Sequence, residues 1–186
     1  NGKVLVSGGS VKDEDASTAV KEAQLYDPES NSFSSAGMME FPRLYHSNTL
    51  LLPDATVVAL GGNPRRKVYQ AEIEIYRPSY LFNADGSPAR RPAITDAPAR
   101  ARYGRTFRVR TPDASGIKSV VLMRAGAPTH AFDMEQRLVG LSFTIDSDAL
   151  QVTAPANGNL APPGYYLLFL LNSAGVPSVG RFVRLS

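Results

Sequence analysis

Val6-Ser7-Gly8-Gly9 recurs in the chain as Ala59-Leu60-Gly61-Gly62, and Gln24-Leu25-Tyr26-Asp27-Pro28 recurs as Glu74-Ile75-Tyr76-Arg77-Pro78. The two pairs follow the same order at offsets of about 50 residues, which is the period of kelch propeller blades. A Gly-Gly pair at the end of an inner strand lets another backbone approach closely, because glycine has no Cβ. Two unrelated hairpins with chance glycine pairs are the alternative. The repeat favours a partial kelch β-propeller, which needs further blades to close.

The rest of the chain also indicates an all-β fold. Short alternating or β-rich runs are separated by Gly, Pro, Asn and Asp, and no run of about ten residues has a helical period. In the first half the predicted strands are residues 3–7, 23–26, 46–52, 56–60 and 72–76. Leu52-Pro53-Asp54-Ala55 reads as a tight turn between two of them, because proline fixes φ at the second position of a turn.

The composition changes between residues 87 and 102, where Pro, Ala and Arg dominate. This stretch is either a linker or the first strand of a new domain with a linker on either side. Beyond it, turn signals separate predicted strands at residues 106–110, 118–123, 139–145, 150–154, 165–171 and 180–185. Such spacing is typical of a β-sandwich. We therefore predict two domains, incomplete kelch blades at residues 1–86 and an immunoglobulin-like β-sandwich at residues 87–186.

Bulk composition excludes several classes of protein. The chain has 186 residues, of which 43% are hydrophobic and 20% charged, as in an ordinary globular protein. Its net charge of +3 comes from basic residues scattered among acidic ones, so we expect no nucleic-acid partner. No apolar run reaches the length of about 18 residues that spans a bilayer, so we expect no transmembrane segment.

The start of the chain and its cysteine content shape two further expectations. The chain opens with Asn1-Gly2-Lys3 rather than Met, and no basic segment followed by an apolar one marks a signal peptide. We therefore expect the chain to begin inside a longer protein. The chain has no cysteine, which excludes disulfides and thiolate metal sites within it.

Two histidines, His46 and His130, are the candidate metal ligands. Neither sits at a local spacing that identifies a metal site by itself, and a lone histidine in an all-β protein is more often a hydrogen-bonded structural residue. Tyr45-His46 precedes an apolar strand, where alternation turns one side chain to each face. His130 follows Gly126-Ala127-Pro128-Thr129 in a loop. The residues alone leave the structural and ligand roles open.

Longer segments around both histidines resemble one enzyme family. Arg43-Leu44-Tyr45-His46-Ser47, followed by Leu50-Leu51-Leu52-Pro53-Asp54 and Gly61-Gly62-Asn63-Pro64, resembles the copper-binding segment of the galactose oxidase and glyoxal oxidase family. Thr129-His130 followed by Asp133-Met134-Glu135-Gln136-Arg137 resembles the loop of that family's C-terminal domain, and Gly175-Val176-Pro177-Ser178-Val179-Gly180 is similar to its end. The matches follow the family order, so the chain is identified as a member of this copper radical oxidase family, covering its last kelch blades and its early-set immunoglobulin-like domain.

The resemblance implies copper (Cu²⁺) bound by two tyrosines and two histidines. Carried over to this chain, Tyr45 would be the axial tyrosine and catalytic base, and His46 and His130 the equatorial ligands, which suits the preference of copper for N and O donors. Arg43 would contact a substrate oxygen or pair with a carboxylate, and the structural pair is favoured. Thr129 and Gln136 would orient the histidine loop.

The implied chemistry oxidises primary alcohols or aldehydes, sugar-like or small, with O₂ to give H₂O₂. In the family the axial tyrosinate takes the hydroxyl proton, and a tyrosyl radical, on a tyrosine joined to a cysteine, abstracts hydrogen from carbon. No residue here matches that pair, so the upstream blades, in the same or another chain, are an expected partner, and we expect the chain alone to be inactive. The resemblance also implies a secreted protein, extracellular or associated with the cell envelope. The alternative function is a non-catalytic kelch and immunoglobulin-like module that binds glycans or proteins.

Overall fold

The computed structural model describes residues 2–130 and 132–186 and is all-β, as predicted. The chain divides into two compact units. Unit 1 comprises Asn1–Leu52, Thr56–Pro78 and Gly126–Met134, and unit 2 comprises Pro53–Ala55, Ser79–Ala125 and Glu135–Ser186. No helix in the described part of the chain has the length and apolar character that a membrane span requires.

Unit 1 contains two antiparallel sheets of three strands each. In the first sheet β1 (Val4–Val6), β2 (Glu22–Asp27) and β3 (Ser32–Met38) pair in chain order. In the second sheet β4 (Ser47–Leu51), β5 (Val57–Gly61) and β6 (Glu74–Tyr76) do the same. A 3-10 turn at Ala16–Thr18 begins at Asp15, whose carboxylate accepts from the Ser17 N–H. The identity of these sheets as kelch blades stays a prediction.

The five strands predicted for this region overlap β1, β2, β4, β5 and β6, but β3 was not predicted. Its sequence, Ser-Phe-Ser-Ser-Ala-Gly-Met, is mostly small or polar, and nearly all of the strand is exposed. A strand without a buried face has no alternating pattern to reveal it. Pairing with β2, rather than burial, creates this strand.

Unit 2 contains a five-stranded and a three-stranded sheet, together with 3-10 turns at Ser79–Leu81 and Ala114–Gly116. The larger sheet has the order β10-β9-β13-β14-β7, and only the β14–β7 pair is parallel. The smaller sheet has the order β11-β12-β8. The strands are β7 (Arg100–Ala101), β8 (Thr106–Arg110), β9 (Ile117–Arg124), β10 (Leu138–Leu141), β11 (Phe143–Asp146), β12 (Ala149–Thr153), β13 (Gly164–Asn172) and β14 (Arg181–Leu185).

The prediction of one strand at residues 139–145 was wrong. The chain forms β10, leaves the larger sheet at Ser142 and continues as β11 in the smaller sheet. The Ser142 carbonyl accepts from the Thr153 N–H at 2.9 Å, so the crossing point is itself hydrogen-bonded. Because residues on both sides of Ser142 are β-formers, a pattern of hydrophobicity does not show that the strand changes sheet.

The hydrophobic core lies in unit 2. β13 runs between β9 and β14, and Tyr166–Leu171 are buried on both faces of the strand, which explains their continuous apolar sequence. On one face of the strand, Tyr166, Leu168 and Leu170 belong to the same core cluster as Val109, Leu150 and Val152 of the smaller sheet. The Pro- and Ala-rich stretch before the sandwich contributes β7 and the buried Ile94, so it supplies the first strand of the unit rather than only a linker.

Candidate metal centre

Two glycines closely approach the backbone of the segment that carries Tyr45 and His46. A Cβ on Gly8 would lie 2.6 Å from the Arg43 carbonyl oxygen, and a Cβ on Gly61 would lie 3.1 Å from the His46 carbonyl oxygen. Both glycines have positive φ, 81° and 70°, which L side chains rarely adopt. The close backbone approach predicted from the repeated Gly-Gly pairs is thus present at Gly8 and Gly61.

Arg43 is buried, at 1% exposure, and its guanidinium pairs with a carboxylate. Nε donates to Glu74 Oε2 at 2.9 Å, and Nη1 donates to the Gly61 carbonyl at 3.1 Å. Nη2 lies 2.8 Å from the same Glu74 oxygen, but its alignment makes this an ion pair without a hydrogen bond. Of the two roles considered for Arg43, the structure has it in the carboxylate pair.

Tyr45 and His46 lie between β3 and β4, in a turn closed by the Ser47 N–H donating to the Leu44 carbonyl at 3.0 Å. Their rings are stacked, with centroids 3.8 Å apart and an interplanar angle of 30°. His46 has a φ of 65°, a conformation that is uncommon for a residue other than glycine. Backbone conformations of this kind are concentrated at functional sites. Tyr45 is 44% exposed.

His130 lies in the loop of Gly126–Met134, which belongs to unit 1. The Thr129 N–H donates to the Phe132 carbonyl at 2.7 Å and the Phe132 N–H donates back at 2.9 Å, which closes a tight turn around His130. The Ala127 N–H donates to Asp133 Oδ1 at 3.1 Å. Like His46, His130 has a positive φ, at 51°. The two histidines therefore share an unusual backbone conformation.

The fold of unit 1 brings together the three predicted ligands, although they are far apart in sequence. The His130 ring centroid lies 6.1 Å from that of Tyr45 and 6.1 Å from that of His46. With a metal–nitrogen bond of about 2 Å, two imidazoles that share one ion have centroids no more than roughly 6.5 Å apart. The observed separation falls within this limit.

The hydrogen bonds that the two imidazoles make with described residues use Nδ1 of each ring, and none of them uses Nε2. His46 Nδ1 lies 3.0 Å from Asn63 Oδ1, and His130 Nδ1 lies 2.7 Å from Thr129 Oγ1. Two imidazoles and a phenol are donors that suit copper, so the residues present fit the metal. Among the described residues, no three His, Cys, Asp or Glu side chains cluster in a metal-binding arrangement. The candidate centre instead depends on a tyrosine as its third donor.

Three further residues complete the account of the site. Gln136 is exposed and belongs to unit 2, so its predicted role in orienting the loop stays a prediction. Burial raises the pKa of the Tyr76 phenol, which disfavours this tyrosine of unit 1 as a phenolate ligand. Asn63 was not predicted as a functional residue, although Gly61-Gly62-Asn63-Pro64 lies in the segment that resembles the family. An amide directly after a strand-ending glycine pair was the signal that could have singled it out.

Comparisons with known proteins agree on one family. Residues 91–185 match the family model described as galactose oxidase-like, Early set domain. The galactose oxidase of Gibberella zeae is 33% identical over 193 residues, covering 100% of this chain and 28% of the relative. The aldehyde oxidase GLOX of Vitis pseudoreticulata is 41% identical over 160 residues, covering 77% of this chain and 30% of the relative.

A solved structure is similar across nearly the whole chain. It is described as a novel fungal alcohol oxidase with catalytic diversity among the AA5 family, in complex with copper. The TM-score is 0.90 at 32% identity, covering 99% of this chain and 40% of that chain. The chain belongs to the galactose oxidase-like family of oxidases, and its second half carries the family's early-set immunoglobulin-like domain. It spans less than a third of the length of the two curated relatives described above.

Proposed function

We propose that this chain supplies Tyr45, His46 and His130 as copper ligands to a copper radical oxidase that acts on primary alcohols or aldehydes. The observation that carries the proposal is the convergence of these three rings, whose centroids lie 3.8 to 6.1 Å apart. Galactose oxidase and aldehyde oxidase among the relatives support an alcohol or aldehyde as the substrate, and the copper-bound fungal alcohol oxidase supports the metal.

Tyr45 has two roles in this proposal. As a phenolate it is a ligand, and its exposed position lets it accept the proton of a substrate hydroxyl that approaches from solvent. The His46 ring packs against the phenol, with ring centroids 3.8 Å apart, so in this proposal it helps to position Tyr45. Arg43 acts indirectly, since it anchors the backbone beside Tyr45 to Glu74.

The overall reaction converts a primary alcohol to an aldehyde while O₂ is reduced to H₂O₂. In this proposal Tyr45 would take the hydroxyl proton, and a radical tyrosine supplied by the upstream blades would take the hydrogen on carbon. Copper held by Tyr45, His46 and His130 would, together with that radical, supply an acceptor for the two electrons that O₂ takes up. Because the chain has no cysteine, it does not form a tyrosine–cysteine cofactor by itself, and upstream blades are its proposed partner.

Copper binding tests the proposal directly. We expect Cu(II) added to the chain to bind at one equivalent and to give an EPR spectrum with nitrogen superhyperfine splitting. The chain has only two histidines, so the multiplicity of this splitting reports whether one or both imidazoles bind. His46→Ala and His130→Ala should each reduce it, and Tyr45→Phe should change the spectrum while keeping both nitrogens.

Tyr69→Phe is the matched control for Tyr45→Phe, because Tyr69 is in the same unit and is 78% exposed. It should leave the spectrum unchanged. Copper that binds independently of both histidines, or no binding at all, would contradict the proposed site in this chain. That result would favour the alternative, a non-catalytic module that binds glycans or proteins.

A further inference from the structure

Asn63 is a buried amide that contacts the candidate centre at two points. Its side chain is next to the His46 ring, with Oδ1 3.0 Å from Nδ1. Its backbone N–H donates to the Tyr45 carbonyl at 2.8 Å. Asn63 is only 4% exposed, and a buried amide is costly unless both of its ends have partners. The partner of Nδ2 therefore determines whether Oδ1 or Nδ2 of Asn63 faces the His46 ring.

The orientation of the Asn63 amide is fixed by the Val68 carbonyl. Nδ2 donates to this oxygen at 3.1 Å, and a carbonyl oxygen can only accept a hydrogen bond. The other end of the amide, Oδ1, must then face His46, and it also can only accept. The Nδ1 atom of His46 must consequently carry the proton. In a neutral imidazole this leaves the lone pair on Nε2, the form that can bind a metal through that atom.

No contact of His130 with a described residue selects its tautomer in this way. Its Nδ1 partner is the Thr129 hydroxyl, at 2.7 Å, and a hydroxyl can donate or accept. Both residues are exposed. The two imidazoles thus differ, because His46 is held in one tautomer by a buried amide, whereas the His130 partner permits both.

We propose that Asn63 is a positioning residue that holds His46 in the Nδ1–H tautomer and so directs its Nε2 lone pair to the metal. This inference rests on the proposed function for the identity of the metal, but the tautomer itself is a property of the metal-free chain. The contact with Asn63 also restrains His46, whose backbone is in the left-handed conformation. The amide holds the ring of a residue whose backbone conformation is sparsely populated.

The tautomer can be measured in the chain labelled with ¹⁵N. Long-range ¹H–¹⁵N correlation spectra at about pH 9, where an ordinary imidazole is neutral, distinguish Nδ1–H from Nε2–H for each histidine. We expect Nδ1–H for His46 in the unmodified metal-free chain. Finding Nε2–H there would overturn the proposal without any variant.

Two substitutions distinguish the contact of Asn63 with the His46 ring from its hydrogen bond to the Val68 carbonyl. Asn63→Asp keeps an acceptor for His46 Nδ1 but removes the donor to the Val68 carbonyl, whereas Asn63→Ala removes both. We expect Asn63→Asp to keep the Nδ1–H tautomer and Asn63→Ala to lose it. Asn48→Ala is the matched control, because Asn48 Nδ2 contacts the His46 backbone carbonyl at 3.3 Å rather than the ring. It should leave the tautomer unchanged.

Copper affinity gives a second readout. Asn63→Ala should raise the dissociation constant for Cu(II) by about 10- to 100-fold, the usual effect of removing the partner of a metal-binding histidine. Equal loss of the tautomer in Asn63→Asp and Asn63→Ala would overturn the proposal, because it would assign the effect to the Val68 contact. A chain that binds no copper yet shows the expected tautomers would support the role of Asn63 and contradict only the proposed function.

Discussion

Glu74 connects β6 to the segment that carries the candidate ligands. Its Oε1 accepts from the Glu40 N–H at 2.6 Å, and its Oε2 accepts from Arg43 Nε at 2.9 Å. Because Arg43 is shielded from water, Glu74 is the anion that compensates its charge. A buried pair of this kind contributes little net stability as a pair, but loss of one partner leaves an uncompensated charge.

We expect Glu74→Gln to lower the free energy of unfolding by about 3 kcal/mol, because the Arg43 guanidinium would stay buried without its counter-charge. Urea-induced unfolding measures this change. Asp148→Asn is the control, since Asp148 pairs with Arg108 and Arg110 at the surface, and its loss should cost about 1 kcal/mol or less. Equal effects of the two substitutions would show that Arg43 does not depend on Glu74.

At the scale of elements, much of the fold could be predicted from the sequence, because strands such as β5 and β14 bury alternate residues and β13 is buried throughout. β8 was predicted with its observed bounds, and β13 was recognised from its apolar run. The missed features depend on tertiary contacts. β3 exists through pairing with β2, and the division at Ser142 depends on which sheet each neighbour joins.

The candidate site was predictable only in part, for a related reason. No local spacing connects His130 to Tyr45 and His46, so the resemblance to a family, rather than a motif, suggested that they meet. The roles of Asn63 and Glu74 were not predicted, because each acts through a partner that is distant in sequence. Hydrogen bonds across a loop, such as that from Asn63 to Val68, leave no periodic trace in the sequence.

Gly8 and Gly9 test how the end of β1 supports the candidate site. Both have positive φ, 81° and 96°, so alanine is strained at either position. They differ in their surroundings, because a Cβ on Gly8 would lie 2.6 Å from the Arg43 carbonyl oxygen, whereas a Cβ on Gly9 would have no neighbour within 4 Å. Alanine at either position has the cost of the positive φ, but only alanine at Gly8 also meets nearby backbone. The difference in stability between the two variants therefore measures the effect of the close approach.

We expect Gly8→Ala to lower the free energy of unfolding by roughly 1 to 3 kcal/mol more than Gly9→Ala, because backbone must move to admit the new Cβ. Thermal or urea unfolding of both variants measures the difference. Gly8→Ala should also weaken Cu(II) binding, since Arg43 is near Tyr45 in the chain. If both variants unfold alike and bind copper alike, the close approach at Gly8 has no part in holding the site.

At the scale of the whole molecule, apolar burial is distributed unevenly. The contiguous core cluster lies in unit 2, whereas the buried apolar residues in the described part of unit 1 are Ala23, Leu44, Val57, Ala59 and Pro78. Large apolar side chains of unit 1, including Val6, Phe33, Met38 and Ile73, are exposed. An incomplete propeller would also leave part of its apolar surface uncovered, and the assignment of unit 1 to kelch blades stays a prediction.

We expect amide hydrogen exchange to divide the chain in the same way. Amides of β9 and β13 should exchange slowest, because they lie in the centre of a sheet over a packed core. Amides of β1 and β3, which are the edges of their sheet and are mostly exposed, should exchange fastest among the strands. Residue-resolved exchange measured by NMR provides the test, and protection in β1 and β3 equal to that in β13 would contradict it. Such a result would mean that the first sheet of unit 1 is stabilised by something other than its own burial. Self-association through its exposed apolar face would account for this, and sedimentation at several protein concentrations would detect it.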